Sequence, residues 1–239
     1  MKQFKALIAC EESQAVCIEL RKLGWEAYSC DILECSGGHP EWHICEDVIP
    51  LVNGNCTFKT MDDVEHTIEG KWDLLIAFPP CTYLTVTGNR WFNVERYGEK
   101  AVQRWRDRKD AIKFFMVFAN ADCNRIVIEN PVGIMSTEWR KPDQIIQPWM
   151  FGDAAEKKTC LWLKGVNPLK ETDVVTPPPR QKFKSGNTMP KWYADAWHLP
   201  SAERSRLRSK TFPGVAKALA GQITEQITKQ NDLKLGEVM

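Results

Sequence analysis

Two residues that could carry out chemistry together follow apolar, strand-like runs. Cys81 comes directly after "LLIAFPP", and Glu129 lies in "RIVIENPVG", a later apolar run. In a parallel sheet both side chains would lie at the carboxyl edge, where they can meet. A thiolate at Cys81 could add to an electron-poor carbon and form a covalent intermediate. A neighbouring carboxylic acid could stabilise the charge that develops, which is the arrangement needed to attack a pyrimidine ring.

Each of these residues also has an ordinary structural explanation. Most cysteines are buried and do no chemistry, and an acid after a strand often caps a helix or a loop. The two prolines before Cys81 favour a functional role for it. They fix φ at both positions, so the chain leaves the strand in one stiff direction and would present the thiol rigidly.

The elements that must position these residues alternate along the chain. Short apolar runs predict strands over 5–10, 25–32, 43–49, 72–78, 125–130, 145–151 and 158–165. Helical spacing of apolar residues, or a long stretch free of Gly and Pro, predicts helices over 13–24, 99–120 and 214–227. The Pro-rich, basic stretch 174–193 is expected to be a loop or only partly ordered. Alternating strands and helices predict an α/β fold with a parallel sheet covered on both faces.

A second group of candidates lies at the same sheet edge. In an open α/β sheet, ligands bind outside the carboxyl ends of the strands. "CEESQ" follows the first predicted strand, Asp31 ends the second, and Pro79-Pro80-Cys81 follows the fourth. An acid at the end of the second strand commonly binds the two hydroxyls of a ribose. Together these positions predict a nucleoside-bearing cofactor beside Cys81.

The composition is that of an ordinary globular chain. The 239 residues are 43% hydrophobic and 26% charged, with a formal net charge of +1, so no overall field favours a polyanionic partner. The apolar stretch in "MKQFKALIACEESQ" is too short for a signal peptide, and no run is long enough to cross a bilayer. Nine cysteines without a secretion signal favour reduced thiols. We therefore predict a cytoplasmic protein with no membrane partner.

One alternative use of the cysteines is a zinc site in "CDILECSGGHPEWHIC". Cys30, Cys35, His39, His43 and Cys45 lie close together there. Zinc requires about four N or S ligands, but the stretch contains no C-x-x-C pair, and its glycines and proline are typical of a turn. We predict no metal site.

The ordered motifs resemble those of a known family. "FPPC" followed by "ENPVG" resembles the Pro-Cys and Glu-Asn-Val motifs of the cytosine C5 DNA methyltransferases. "LPSAERSRLRSKTFP" resembles the penultimate motif of that family, and "GVAKALAGQI" resembles its closing helix. The layout is most similar to the compact methylases of phages and prophages, some of which belong to restriction–modification systems, and this resemblance implies the cytosol of a bacterium or of a phage-infected host.

The resemblance implies a fold, a cofactor and roles. The fold would be a class I, Rossmann-like methyltransferase with a mostly parallel seven-stranded sheet and a small basic C-terminal extension, and the cofactor S-adenosylmethionine. Cys81 would attack C6 of a flipped cytosine in DNA, Glu129 would engage N3, and C5 would take the methyl group. Asp31 would bind the ribose hydroxyls, and Asp47 would approach the adenine amine. The full predicted cofactor set is Cys10, Glu11, Ser13, Gln14, Asp31, Ile32, Asp47, Phe78 and Pro80.

Within this scheme the chain divides into three parts. Residues 1–163 would form the catalytic core, 164–210 a short recognition-like segment, and 211–239 a closing helix that packs back on the core. The middle part has ten Lys or Arg against four Asp or Glu, with aromatic residues between them. Such a mixture suits phosphate contacts and base stacking, although a solvated loop with buried aromatics would look the same. The predicted nucleic-acid contacts are Asn89, Arg90, Lys157, Lys158, Arg180, Lys182 and Lys184.

Several positions depart from the family pattern. "ACEESQ" has no glycine, Thr82 replaces the usual glutamine, and Lys157-Lys158-Thr159 stands near the place of an arginine pair. Two rival functions therefore stay open. One is a methyltransferase that acts on a free nucleotide, an RNA or an exocyclic base nitrogen. The other is a non-catalytic DNA-binding protein that keeps the cofactor fold. The segment 87–100 after Cys81 has the length of a lid that could close over a flipped base. The target site and oligomeric state stay undetermined, with a monomer favoured.

Overall fold

The computed structural model describes residues 3–236, including all their side chains except those of 202, 205 and 233–236. The strands are β1 Lys5–Ala9, β2 Glu26–Cys30, β3 His43–Ile44, β4 Cys56–Lys59, β5 Glu65–Ile68, β6 Leu74–Ala77, β7 Ile126–Pro131, β8 Gln144–Ile146, β9 Thr159–Lys164, β10 Gln181–Lys182 and β11 Thr188–Met189. The α-helices are α1 Ala15–Lys22, α2 Val94–Tyr97, α3 Glu99–Ala119, α4 Met135–Glu138, α5 Lys191–Asp195, α6 Ser201–Ser209 and α7 Pro213–Gly236.

Seven strands form the main sheet, in the order β3-β2-β1-β6-β7-β9-β8. All of them run parallel except β9, which is antiparallel to both of its neighbours. The α/β fold and the mostly parallel seven-stranded sheet are thus confirmed. Numbered within this sheet alone, the order is 3-2-1-4-5-7-6, and its first five strands follow the doubly wound nucleotide-binding order. The strand order reverses between β1 and β6, so the carboxyl edge there is the expected ligand position.

The two faces of the sheet are covered by separate hydrophobic clusters. Strands β1 and β6 are buried almost throughout, as expected for parallel strands packed on both sides. On one face α1 and α7 pack together, and the Trp25 indole Nε1 donates a hydrogen bond to Thr224 Oγ1 of α7 at 2.9 Å. On the other face Phe115 and Phe118 of α3 pack with Trp72 and Trp162. The described part of the predicted closing helix therefore lies on the sheet, and residues 237–239 lie outside the described range.

Several predicted boundaries were wrong, each for a local reason. The strand expected over 43–49 has only two residues, because a 3₁₀ helix with Pro50 follows shortly after it. The strand expected over 145–151 ends at Ile146, because Pro148 begins a 3₁₀ turn. The β4–β5 hairpin was missed. The 174–193 loop contains the β10–β11 hairpin and the start of α5. No helix within residues 3–236 is long and apolar enough to cross a membrane.

Candidate active site

Cys81 stands on a fixed corner beyond the end of β6. The Phe78 N–H donates to the carbonyl of Ala9 at 3.0 Å, which holds the strand end against β1. Pro79 is buried, and the buried Asn130 side chain donates to its carbonyl at 2.7 Å. Two prolines and this bond together set the direction in which the thiol leaves the sheet. Asn130 is a positioning residue that sequence reasoning did not assign, although it stands in the quoted "ENPVG".

The segment after Cys81 is tied to helix α3. Arg104 donates to the Thr82 carbonyl at 3.1 Å, and Arg108 Nε donates to the Tyr83 carbonyl at 2.9 Å. Arg108 also donates to Asn89 Oδ1 at 2.8 Å, so the amide oxygen of this predicted nucleic-acid contact is occupied within the protein. Residues 86–92 form a 3₁₀ helix, and the lid role expected of the segment stays a prediction.

Glu129 is the neighbour of Cys81 across the sheet edge. Strands β6 and β7 pair in parallel with Ala77 opposite Ile128, so both residues follow the last paired positions. Burial raises the pKa of Glu129, while the Lys157 ammonium and a hydrogen bond with Thr159 act against that rise. Burial also raises the pKa of the Cys81 thiol, and the charge of Glu129 raises it further. The structure therefore places the predicted nucleophile and the predicted acid at the same edge of the sheet, where the charge of one acts on the other.

The wall facing Glu129 comes from the C-terminal part of the chain. A small cleft beside the carboxyl group is lined by Glu129, Pro148, Lys157, Thr159, Thr211, Phe212 and Val215. The Lys157 ammonium donates to the Lys210 carbonyl at 3.2 Å. Its charge lowers the pKa of both Cys81 and Glu129, which sequence reasoning had not anticipated. Lys158, next along the chain, is exposed.

The loop after β1 reaches its shape without glycine. Cys10 and Gln14 both adopt left-handed backbone angles, with φ of 59° and 58°, a conformation that costs about 1–2 kcal/mol outside glycine. The buried Gln14 side chain holds the loop by donating to the His39 carbonyl at 2.8 Å and accepting from the His39 N–H at 3.0 Å. The missing glycines are therefore replaced by side-chain tethers.

Glu11 serves as a second tether of the same loop. Its buried carboxyl group accepts hydrogen bonds from the N–H groups of Val16 and Cys17, at 2.7 and 3.2 Å, in the first turn of α1. Helix α1 has no other side-chain cap among the described residues. The N–H groups of its first turn lack partners within the helix, and Glu11 supplies acceptors for two of them. The side chains of Glu11 and Gln14 are thus occupied, and any cofactor contact from them would come from the backbone.

The acids of the predicted cofactor site lie near enough to Cys10 for their charges to act on its thiol. Asp31 is half-buried at the end of β2 and accepts from the Leu33 N–H at 3.0 Å. Asp47 is exposed and accepts from the Ile49 N–H at 3.0 Å. Burial raises the pKa of Cys10, and the charges of Asp31 and Asp47 raise it further, which brings these predicted residues into one region.

The remaining predicted cofactor residues differ in exposure. Ile32 is 78% exposed beside Asp31, so its apolar side chain is free to cover a planar ring. Ser13 and Phe78 are half-buried, and Pro80 is exposed. Cofactor contacts by all four stay predictions.

The other predicted nucleic-acid contacts lie on two surfaces. Arg90 is exposed, with its guanidinium carbon 4.6 Å from the centre of the Trp91 ring. Arg180 pairs with Glu156 and donates to Thr188 Oγ1 at 3.0 Å, which fixes it to the β10–β11 hairpin. Lys182 and Lys184 are exposed on the same hairpin and its turn.

The two histidines of the alternative zinc site, His39 and His43, are held by contacts within the protein. His43 is buried, with Nδ1 2.8 Å from Ser29 Oγ and Nε2 2.9 Å from the Leu33 carbonyl oxygen. His39 stacks on Trp42 with ring centres 3.9 Å apart. Among the described residues, no three His, Cys, Asp or Glu side chains are grouped as metal ligands.

Glu11 gives a prediction about stability and pH. Burial raises its pKa from an ordinary 4.5 to about 8, despite the two N–H groups that lower it. The folded state therefore keeps the proton up to about pH 8, while the unfolded chain releases it near 4.5. We expect the free energy of unfolding to fall as pH rises between these values, by up to about 1.4 kcal/mol per unit, and to level off above pH 8.

Urea unfolding from pH 5 to 9 measures this slope. Glu11→Gln should flatten it, because the amide does not titrate, whereas the exposed Glu34→Gln should retain it. An unchanged slope in Glu11→Gln would contradict the assignment.

Comparison with known proteins gives only a distant likeness. No family model matches the chain, and no curated protein matches it. One matching solved structure is that of a "putative DNA modification methyltransferase encoded within prophage" from E. coli. It is 13% identical, with a TM-score of 0.40, over 83% of this chain and 56% of the other. This chain therefore spans just over half the length of that protein.

Proposed function

We propose that this protein is a DNA cytosine C5 methyltransferase of the class I, Rossmann-like fold, with S-adenosylmethionine as its cofactor. The observation that carries the proposal is the placement of Cys81 beside Glu129 at the carboxyl edge of β6 and β7, next to the strand-order reversal at β1. A thiol and a half-buried acid at that position suit attack on a pyrimidine. The motifs "FPPC" and "ENPVG" that supply these two residues add support.

The residues beyond β1 and β2 suit the proposed cofactor. Glu12 Oε1 is buried and has no hydrogen-bond partner among the described residues, and such a group costs about 1–3 kcal/mol until it is paired. The charge of Glu12 acts on Asp31, so an acceptor without a donor lies near the acid predicted to bind a ribose. A cofactor with an ammonium group and two ribose hydroxyls offers donors to both. Glu12 and Asp31 would therefore hold it, with Ile32 against the adenine.

The protein groups would act in a definite order. S-adenosylmethionine, when bound, supplies the methyl group. The Cys81 thiolate adds to C6 of cytosine, forming an S–C6 bond while the C5–C6 double bond becomes single. The displaced electron pair moves through the ring to N3, which takes the proton of Glu129. When C5 takes the methyl group, the N3 proton returns to Glu129 and that electron pair forms the new C5–methyl bond. After C5 has taken the methyl group, a base removes the C5 proton, the double bond re-forms and the thiolate leaves.

Lys157 and the raised pKa of Glu129 suit these steps. Burial favours the neutral, hydrogen-donating form of Glu129. Lys157 carries a positive charge close to both reacting groups. It would limit the repulsion between a Cys81 thiolate and any ionised Glu129.

Product analysis tests the proposal against its rivals. The purified chain would be incubated with methyl-labelled S-adenosylmethionine and duplex DNA, and the digested products analysed by mass spectrometry. We expect 5-methylcytosine in the DNA. A methyl group on an exocyclic nitrogen, or transfer only to RNA or a free nucleotide, would replace the proposal with the first rival. DNA binding without calorimetric affinity for S-adenosylmethionine would favour the non-catalytic rival.

A further inference from the structure

The segment 82–92, which comes next along the chain after the proposed nucleophile, is bound by two arginines of helix α3. Arg104 and Arg108 lie four positions apart, so they are neighbours on one face of the helix. Arg104 Nη2 donates to the Thr82 carbonyl at 3.1 Å, and Arg108 Nε donates to the Tyr83 carbonyl at 2.9 Å. These carbonyls belong to the first two residues after the cysteine, so the arginines hold the chain at the point where it leaves the thiol-bearing residue.

The two guanidinium groups have no acidic partner. Arg108 is only 7% exposed, and its guanidinium carbon lies 3.4 Å from the centre of the Phe92 ring. The guanidinium carbon of Arg104 lies 4.9 Å from the centre of the same ring. Neither arginine forms an ion pair with a carboxylate among the described residues. Burial of a charged group costs free energy, and here the compensating contacts come from carbonyls and a ring of the segment itself.

Arg108 also joins two parts of the segment to each other. Its Nη2 donates to Asn89 Oδ1 at 2.8 Å, while its Nε donates to the Tyr83 carbonyl. One planar guanidinium therefore fixes the distance between these two acceptors. A lysine ammonium has no such rigid fork and could not hold both acceptors in the same geometry.

The segment is also in contact with the loop that follows Glu129 and strand β7. The Ile134 N–H donates to the Leu84 carbonyl at 2.9 Å. A Cβ at Gly133 would clash with that same carbonyl oxygen, so the close approach of the two chains requires a glycine there. The segment thus lies between helix α3 and the residues that follow the proposed acid, and it is bound on both sides.

We propose that Arg104 and Arg108 are positioning residues, which hold the segment 82–92 in place beside Cys81 before any ligand binds. They take no part in the chemical steps, and no bond is made or broken at either of them. A segment that is already fixed requires less ordering when a base enters the site. This benefit rests on the proposed function. The hold on the segment does not, because it requires neither cofactor nor DNA.

Hydrogen–deuterium exchange of the ligand-free chain tests the hold directly. The N–H groups of Leu84 and Thr85 both donate to the Cys81 carbonyl at 3.0 Å, so they should exchange slowly in the parent protein. Arg108→Met removes two hydrogen bonds to the segment and keeps a long side chain in the same space. Exchange over residues 82–92, followed by mass spectrometry, should become about tenfold faster. Exchange in strand β1 should stay slow, which separates local release from global unfolding.

Two further variants complete the exchange experiment. Arg104→Met removes one hydrogen bond from a half-buried position and should accelerate exchange by less, which keeps the test informative if Arg108→Met fails to fold. The matched control is Arg106→Met, which changes an exposed arginine of the same helix and should leave exchange in the segment unchanged. Unchanged exchange in a folded Arg108→Met variant, or an equal acceleration in Arg106→Met, would overturn the proposal.

Single-turnover methyl transfer tests the value of the hold for catalysis. Arg108→Met should lower the rate by about tenfold to 10²-fold, with unchanged affinity for S-adenosylmethionine. Arg108→Lys should recover little of the loss, because an ammonium group cannot bind Tyr83 and Asn89 as a fork. Faster exchange with an undiminished rate of transfer would overturn the positioning role. Faster exchange in Arg108→Met, when the parent itself methylates nothing, would support the hold on the segment and reject the proposed function.

Discussion

Replacing Cys81 with serine should abolish methyl transfer, with a loss of at least about 10³-fold, as for other residues that form the covalent bond in catalysis. The serine hydroxyl is similar in size, so the corner made by Pro79 and Asn130 should persist. Its much higher pKa leaves almost no anion to attack C6. The measurement is label transfer from S-adenosylmethionine to DNA at matched protein concentrations.

Two controls separate lost chemistry from lost structure. The affinity of Cys81→Ser for S-adenosylmethionine, measured by calorimetry, should match that of the parent, because Cys81 is not among the predicted cofactor contacts and most of them lie beyond β1 and β2. Cys56→Ser changes an equally half-buried cysteine, on β4, and should transfer methyl groups at the parent rate. The parent should also form a stable adduct with DNA that contains 5-fluorocytosine, and Cys81→Ser should not. Undiminished transfer by Cys81→Ser would reject the proposed chemistry.

The second large effect is expected at Glu129. Glu129→Gln should lower the rate of transfer by about 10²- to 10⁴-fold, the usual range for losing a general acid or base. Glutamine preserves the size of the side chain and can still hydrogen-bond Thr159. It cannot supply the proton that balances charge on the activated ring. The measurement is single-turnover methyl transfer, which isolates the chemical steps from product release.

The pH profile distinguishes this role from a structural one. The pKa of Glu129 is raised, so its acid form persists above the range of an ordinary glutamate and is lost as pH rises further. The parent rate should therefore show an alkaline decline to which Glu129 contributes, and that contribution should be absent from Glu129→Gln. Glu171→Gln, at an exposed position, should retain both rate and profile. A Glu129→Gln variant with the parent rate would remove Glu129 from the mechanism.

The sequence was sufficient to predict the sheet and to place Cys81 and Glu129 at one edge of it. Apolar runs such as 74–77 and 126–128 are buried on both faces of the sheet. A continuous apolar run indicates such a strand, because every side chain along it packs against other residues. Because β6 and β7 are parallel neighbours, the residues that follow their last paired positions, Ala77 and Ile128, lie at the same edge of the sheet. The adjacency of Cys81 and Glu129 therefore follows from local pattern plus a general rule of parallel sheets.

The remaining site residues depend on contacts between distant segments, which a single sequence does not encode in any local pattern. The Lys157 ammonium donates to the Lys210 carbonyl across 53 positions, and Arg108 donates to the Tyr83 carbonyl across 25. Most arginines on helices lie in solvent, so an arginine in a helical sequence gives no indication that it contacts a distant segment. The hairpin of β4 and β5 was missed for a related reason: only Phe58 and Ile68 of its strands are buried, so its apolar signal is weak.

The rigid loop between β1 and α1 affects how much conformational entropy the protein loses when a ligand binds there. A glycine-rich loop is mobile until it closes on its ligand, and the lost mobility weakens binding. Here Glu11 and Gln14 already fix the backbone through α1 and His39. The loop loses its conformational entropy when the protein folds, so ligand binding does not have to order it again. The loop is therefore preorganised for binding. A search for glycine-rich motifs would miss it, because this chain forms the same kind of turn with residues other than glycine.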